Sequence, residues 1–260
     1  MKIAYTINGL IGGLSGKNFQ LRDQELAPLI IKYTANSFKK FILSNNKDLD
    51  VFIFSWQPEF KDYFIEEYSP LVSCYTPQIK FEVPNYLPDE IRTQSHFSRW
   101  YGVKKLFDMI KVSGVNYDLI LNCRMDTCWN RDICFDGWDL NKFHVAYHKT
   151  HPNYLPQDRN GFYMCDHFFG GNMDNFYKLS TLFYSLPQYA DPRIHRCSYS
   201  HISNHRLCVQ HLNATGLADI SVPSIENVLD DGTGLADYNI FRYKKINAQS
   251  LEEAVKNELY

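Results

Sequence analysis

Tyr117-Asp118-Leu119-Ile120-Leu121-Asn122-Cys123-Arg124-Met125-Asp126 is the stretch that decides the fold. Its apolar centre, Leu119-Ile120-Leu121, reads as a buried β-strand and is the strongest strand signal in the chain. The strand ends in Arg124 and Asp126, two residues apart and so on the same side of it. Charged groups at the carboxyl end of a central strand occupy the crevice where an open α/β sheet binds its ligand.

Upstream, Lys2-Ile-Ala-Tyr-Thr6 is a short β-prone run that leads into Asn8-Gly9, Gly12-Gly13 and Gly16. A strand entering a glycine-rich loop is a common opening of nucleotide-binding α/β domains. Leu29, Ile30, Tyr33, Phe38, Phe41 and Ile42 recur every three to four positions and predict a helix over about 26–43. Leu49–Phe54, ended by Ser55-Trp56, is a second strand, and Leu71–Tyr75 a third. Pro84, Pro88 and the polar run to Ser95 predict a loop, followed by a helix over about 97–111. Beyond the deciding strand, Phe143–Tyr147 and Phe162–Met164 are apolar runs, the latter leading into Phe168-Phe169-Gly170-Gly171. Helices are expected over 172–186 and 201–212, the second ended by Asn213 and Gly216. Residues 222–243 read as irregular, and 250–260 as a short helix. The order strand, helix, strand, strand, helix, strand predicts an α/β fold whose sheet is mostly parallel in its first half. One domain is expected, with a nucleotide-binding half over about 1–130 and a more irregular half over about 131–260.

The 260 residues carry 27 Lys and Arg against 29 Asp and Glu, a formal charge of −2. That balance argues against a dedicated nucleic-acid binder, which carries a basic excess. No apolar run reaches the roughly 18 residues that a membrane span requires. The start, MKIAYTINGL, lacks the apolar core of a signal peptide, so a cytoplasmic location is expected. The odd count of seven cysteines fits reduced thiols, and Cys123-x4-Cys128-x5-Cys134 matches no common zinc pattern.

Four groups of residues could carry chemistry. Gly12-Gly-Leu-Ser-Gly16-Lys17 is not a P-loop, because Ile11 stands where the first glycine belongs and Asn18 follows the lysine. It is either a turn-rich loop or one that lets backbone groups approach a nucleotide, with Lys17 available to a phosphate. Asp126 is either half of a surface ion pair with Arg124 or a hard ligand for Mg²⁺ or Mn²⁺. In Asp166-His167-Phe-Phe-Gly170-Gly171, the acid and the histidine sit where a strand end would open onto a cleft, and the glycines permit close backbone approach. Asp166 could act as a general base or bind a substrate hydroxyl; the alternative is a Gly-Gly turn with a solvated aspartate. His201 and His205, four apart, share one helical face, yet no HExxH pattern accompanies them. With His195 and His211 alongside them, most of these histidines read as surface or packing residues.

Three segments also carry a family resemblance. Leu49-Asp-Val-Phe-Ile-Phe-Ser-Trp56 resembles the DVFIHTW strand of capsule and lipopolysaccharide glycosyltransferases. The deciding strand resembles their YDLVIRxRFD, and Asp166-His-Phe-Phe-Gly170 is similar to their DxFxFG, in the same order and spacing. Ser95-His-Phe-Ser-Arg-Trp-Tyr101 falls where those proteins begin an aromatic-rich helix, and the likeness spans about residues 1–215. Similar domains occur in bacteria and in large DNA viruses, where the location would be the host cytoplasm.

The resemblance implies a GT-A-like α/β fold with a mostly parallel central sheet flanked by helices. It implies a nucleotide-sugar donor (a UDP-sugar favoured), a glycan acceptor and a Mn²⁺ or Mg²⁺ ion. Asp126 matches the last acid of the family's DxD motif and would hold the metal. Thr6, Asn8, Gly9 and Trp56 would hold the base and ribose, with Lys17 and Arg124 toward the phosphates. Asp166 would orient or deprotonate the acceptor hydroxyl, with His167, Gly170 and Gly171 beside the acceptor in the second half of the chain. Two departures stand out: Arg124 replaces the first acid of DxD, and His201, Asn204 and His205 lie where a late acid is usual. Two other readings follow from the lost acid and from the Gly-rich loop: an inactive carbohydrate-binding or assembly protein of the same fold, and a nucleotidyltransferase. The latter would normally want two metal acids and a basic signature in its first loop.

Overall fold

Alternation along the first strand sorts its side chains onto two faces. Ile3, Tyr5 and Ile7 join one hydrophobic core, whereas Ala4 joins the other. The computed structural model describes residues 1–11, 26–87, 90–148, 164–191, 193, 204–227, 237–240, 252–253 and 255–257. Within these, β1 (Ile3–Gly9), β2 (Leu49–Ser55), β3 (Val72–Tyr75), β4 (Leu119–Arg124), β5 (Thr127–Trp129), β6 (Phe143–His148), β7 (Met164–Gly171), β8 (Ser221–Asn227) and β9 (Tyr238–Ile240) form one sheet. Its order is β3-β2-β1-β4-β7-β6-β8-β9-β5. The described helices are α1 (Ala27–Phe41), α2 (Lys61–Tyr68), α3 (Glu90–Ser113), α4 (Met173–Ser180), α5 (Leu182–Tyr189) and α6 (Asn204–Thr215).

β1 runs parallel to β2 on one side and to β4 on the other, and β3 continues parallel beyond β2. The chain thus builds outward through β2 and β3, then crosses back to lay β4 on the far side of β1. That reversal opens a crevice at the carboxyl ends of β1 and β4. β7 is antiparallel to β4, so its amino-terminal half reaches the same rim. One face, with Tyr5, Ile53 and Leu121, packs under α1 and α2 through Ile30, Phe38 and Phe64. The other, with Phe52, Phe54 and Ile120, packs under α3 to α6 through Trp100, Phe107, Phe176, Leu186 and Leu207. The α/β class and the mostly parallel, helix-flanked sheet are those the sequence predicts.

Several elements differ from expectation. β1 continues past Thr6 because Ile7, Asn8 and Gly9 still pair with Ile53, Phe54 and Ser55. α3 begins at Glu90, inside the expected loop; the Gln94 side chain holds the preceding chain there by bonding both the N–H and the C=O of Phe81. α2 has no strong apolar period in its eight residues and was not expected. The expected helix over 172–186 is two helices, broken at Thr181, with Asn172 capping the first by accepting from the Asn175 N–H. Residues 222–243, expected to be irregular, include β8 and β9. Pro223 argues against a strand on sequence alone, yet β8 accommodates it where its register against β6 shifts. Gly12, Gly13, Gly16 and Lys17 lie outside the described residues.

Two contacts set the sheet and α6 in place. A Cβ on Gly170 would stand 2.5 Å from Leu121 Cδ2 and 2.7 Å from the Ile120 carbonyl oxygen, so only glycine lets β7 lie this close to β4. His211, buried on α6, donates from Nε2 to the Lys178 carbonyl at 2.8 Å and lies 3.0 Å from the Tyr189 hydroxyl through Nδ1. Burial holds its pKa below the ordinary histidine value, against the pull of the Lys178 carbonyl.

Gly170→Ala should lower stability by about 1–3 kcal/mol, the usual range for overpacking, as measured by urea unfolding. A histidine buried neutral stabilises fully above its unfolded pKa of about 6.5 and loses that contribution as pH falls below it. Stability should therefore drop between pH 7 and pH 5. In His211→Gln, less stable at pH 7, the drop should be shallower.

Candidate functional site

The rim is organised by a buried cation. Arg99 comes from α3, and its side chain is 8% exposed. It donates through Nη1 to Asn8 Oδ1 at the end of β1, and through Nη2 to Asn122 Oδ1 on β4 (3.1 Å) and to the Asp166 carbonyl on β7 (2.6 Å). One guanidinium therefore ties together the three strands that frame the crevice. Asn8 Nδ2 returns a bond to the Arg99 carbonyl. Asn122 passes the chain on, donating to Thr6 Oγ1 at 2.8 Å, and Thr6 in turn donates to the Leu121 carbonyl. Gly102, one helical turn after Arg99, allows this approach: a Cβ there would lie 2.7 Å from Asn8 Nδ2. Burial pushes Arg99 down to about 10, against the pull of Asp166, so it stays charged at neutral pH.

Asp166 is the matching anion, its side chain 5% exposed. Its Oδ1 lies 3.0 Å from His205 Nδ1 and 3.9 Å from His167 Nε2, and its Oδ2 3.8 Å from Arg99 Nε. Burial alone would raise its pKa; His205, His167 and Arg99 outweigh that and hold the carboxyl well below the usual range. His205 stands in the first turn of α6, which Trp100 also anchors by donating to Asn204 Oδ1 at 3.1 Å.

A regular strand points consecutive side chains to opposite faces. Asp166 and His167 escape that rule through a bulge. Cys165 pairs with Ala146 and Phe169 with Val145, so three residues of β7, Asp166, His167 and Phe168, stand between neighbouring residues of β6. Bulges of this kind re-aim side chains beside functional sites. The ligand atoms of Asp166, His167 and His205 all lie within 4.8 Å of one another, close enough to hold one metal ion.

Arg124 and Asp126 do meet at the end of β4. Arg124 Nε and Nη2 donate to the two carboxylate oxygens of Asp126 at 2.7 and 2.6 Å, with the Arg124 side chain 36% exposed. Both Asp126 oxygens therefore accept from Arg124, and a metal ion at Asp126 would share the carboxylate with the guanidinium. Gly9 leaves β1 at φ +130°, a conformation that side chains disfavour. Trp56 is buried, its ring stacked on Tyr101 at 5.4 Å and in edge contact with Phe54 at 4.9 Å, so one face is used by Tyr101. The next residue, Gln57, clasps the Ile11 N–H and C=O, pinning the chain that leaves β1 to the end of β2. Gly170 and Gly171 lie within the sheet, where a Cβ would strike Leu121 or crowd Asn175 and Phe143.

The structure thus brings Asn8, Arg124, Asp126, Asp166 and His167 to one rim and gives Thr6, Trp56, Gly170 and Gly171 packing or hydrogen-bonding duties beside it. Lys17 lies outside the described residues. Sequence reasoning missed Arg99 and read His205 as surface or packing. His205 stands in the segment where the resemblance expects an acid; Arg99 gives no local signal, since its partners are distant along the chain.

No described protein family and no curated protein matches the sequence. Solved structures do match. One is a candidate nucleotide-diphospho-sugar transferase from Desulfovibrio desulfuricans G20, with 10% identity and a TM-score of 0.47, covering 89% of this chain and 83% of that one. A likeness of that size carries no functional argument by itself. No helix among the described residues is long and apolar enough to cross a membrane.

Arg99→Leu removes one partner of a buried charge cluster and should cost roughly 3–5 kcal/mol of stability. Urea unfolding at pH 7 checks it.

Proposed function

We propose that this chain transfers a sugar from a nucleotide-sugar donor, a UDP-sugar in the favoured case, to a glycan acceptor. The observation that supports it is the gathering of two guanidiniums, an ionised buried aspartate and two histidines at the switch point between β1 and β4. Open α/β sheets bind ligands at that point.

Breaking the donor's glycosidic bond leaves negative charge on the departing diphosphate. Positive groups fixed in advance, in a site partly shielded from water, stabilise that charge more than mobile ones do. Arg124 is the exposed one, and Asp126 holds its planar guanidinium in a single orientation. We therefore place Asp126 as the residue that positions Arg124. Arg99 adds a second positive charge behind it. The nucleoside would lie toward Gly9, at the exit of β1, with Lys17 in the loop beyond.

Asp166 sits among three donors or cations that favour its charged form, so its affinity for a proton is low. Of the two roles the sequence leaves open, orienting a group suits it better than deprotonating a hydroxyl. His167, next to it in the bulge, is placed on the acceptor side. A divalent metal, if bound, fits the Asp166, His167 and His205 donor set and would supply further charge stabilisation. A second reading, a carbohydrate-binding protein without turnover, is favoured by Arg124 standing in place of the family's first acid.

Calorimetry with UDP-, GDP- and dTDP-sugars should show binding of at least one donor, and Arg124→Ala should weaken it about 10- to 100-fold, the worth of a charge-assisted hydrogen bond. No binding by any donor would overturn the reading. Donor binding without slow hydrolysis of the donor, with metal present, would favour the non-catalytic protein.

A further inference from the structure

We propose that Asp166, His167 and His205 form a centre for a divalent transition-metal ion, and that this centre, rather than Asp126, is where the protein holds metal. The centre's use in sugar transfer rests on the transferase reading above; its existence does not.

Three observations carry it. The first is the donor set itself: one carboxylate oxygen and two imidazole nitrogens within 4.8 Å of one another, with Asp166 and His167 buried and His205 21% exposed at its side chain. The second is the bulge in β7, which is what lets two consecutive residues aim at one point. The third is the surrounding support. Ligating carboxylates are themselves usually held by outer hydrogen bonds. Here Arg99 bonds the Asp166 main-chain carbonyl at 2.6 Å, and its Nε stands 3.8 Å from Oδ2 as an ionic rather than a hydrogen-bonded contact, leaving Oδ1 toward the two histidines. The Asp166 N–H, 3.0 Å from His205 Nδ1, holds that ring against the carboxylate; an ion coordinated through Nδ1 would take the place of this contact. Asp126 offers the opposite situation, with both oxygens already accepting from Arg124.

The chemistry of the donors selects the ion. Mg²⁺ and Ca²⁺ prefer shells of oxygen. Imidazole nitrogen suits Zn²⁺, Co²⁺, Ni²⁺ and Fe²⁺, whereas Mn²⁺, like Mg²⁺, suits oxygen ligands. Three protein ligands leave positions open to water or substrate oxygen, the pattern of a reactive rather than a structural site. The class expected is therefore a transition ion such as Zn²⁺ or Co²⁺, with Mg²⁺ disfavoured.

The test uses the full chain, stripped with a chelator and then titrated with CoCl2 or ZnCl2 alone, without any sugar nucleotide. Cobalt should bind at one ion per chain, with visible ligand-field absorption, and should raise the melting temperature; Mg²⁺ should do neither. His205→Ala and His167→Ala should each weaken cobalt binding by more than about 10-fold, the least that loss of a ligand costs when even outer-shell losses reach that size. Asp126→Ala should leave cobalt binding unchanged. His205→Gln, checked for a native circular-dichroism spectrum, guards against a folding defect in the alanine variant. Absence of one-to-one cobalt or zinc binding, or binding that survives both histidine changes, overturns the proposal. Cobalt binding without donor binding keeps this centre and removes the transferase reading; donor binding without metal binding does the reverse.

Discussion

A guanidinium removed from water must find its compensation in the protein around it, and the rim of this sheet is arranged to provide that for Arg99. The cost of a buried charge with no partner is several kcal/mol even after relaxation. Arg99 is matched by a carboxylate, two amide oxygens and a main-chain carbonyl drawn from three different strands. Each of those strands is thereby held at a fixed distance from α3. The glycine at position 102 belongs to the same constraint, since any side chain there would push against Asn8. The polar residues Thr6, Asn8 and Asn122, which interrupt otherwise apolar strands, make sense in this light: they are the hydrogen-bonding lining that a buried cation requires.

The charge then propagates to the chemistry. Because Arg99 is fixed, Asp166 is fixed, and because Asp166 is fixed, the two histidines converge on it. Arg124 stands at the same rim but faces outward, its orientation set by Asp126. The result is a division of labour between an inner, charge-matched cluster and an outer, partly exposed guanidinium able to meet an anionic ligand. In the proposed transfer, neither group would have to reorganise as charge develops on the departing diphosphate, which is the condition under which electrostatic stabilisation is most effective.

How much of this could be read from the residues depends on how local each signal is. β2 and β4 are apolar runs bounded by polar or turn residues, and their positions agree with expectation to within about two residues. β8 and β9 were illegible because their pairing is supplied by neighbours, with Pro223 speaking against it. At the site, Asp166 and His167 announce themselves as an acid and a histidine ahead of two glycines. The ion pair between Arg124 and Asp126 was one of two readings open to a pair of opposite charges two apart. Arg99 could not be found in the same way: it reads as one basic residue in an aromatic helix, and its partners at 8, 122 and 166 come from elsewhere in the chain. His205 is conspicuous as a residue, but its helical spacing from His201 carries no trace of the strand it faces, since Asp166 lies 39 positions away.

The three-residue excursion in β7 also bears on how such a protein can change over time. It is clamped at both ends by ladder pairs, Ala146 with Cys165 and Val145 with Phe169. Of the positions between, Phe168 pairs with Cys123 of β4 and Asp166 is matched to Arg99, so exchange is least constrained at His167. A lineage could therefore retune the chemistry presented there by swapping that one residue, while the architecture that presents it is inherited intact.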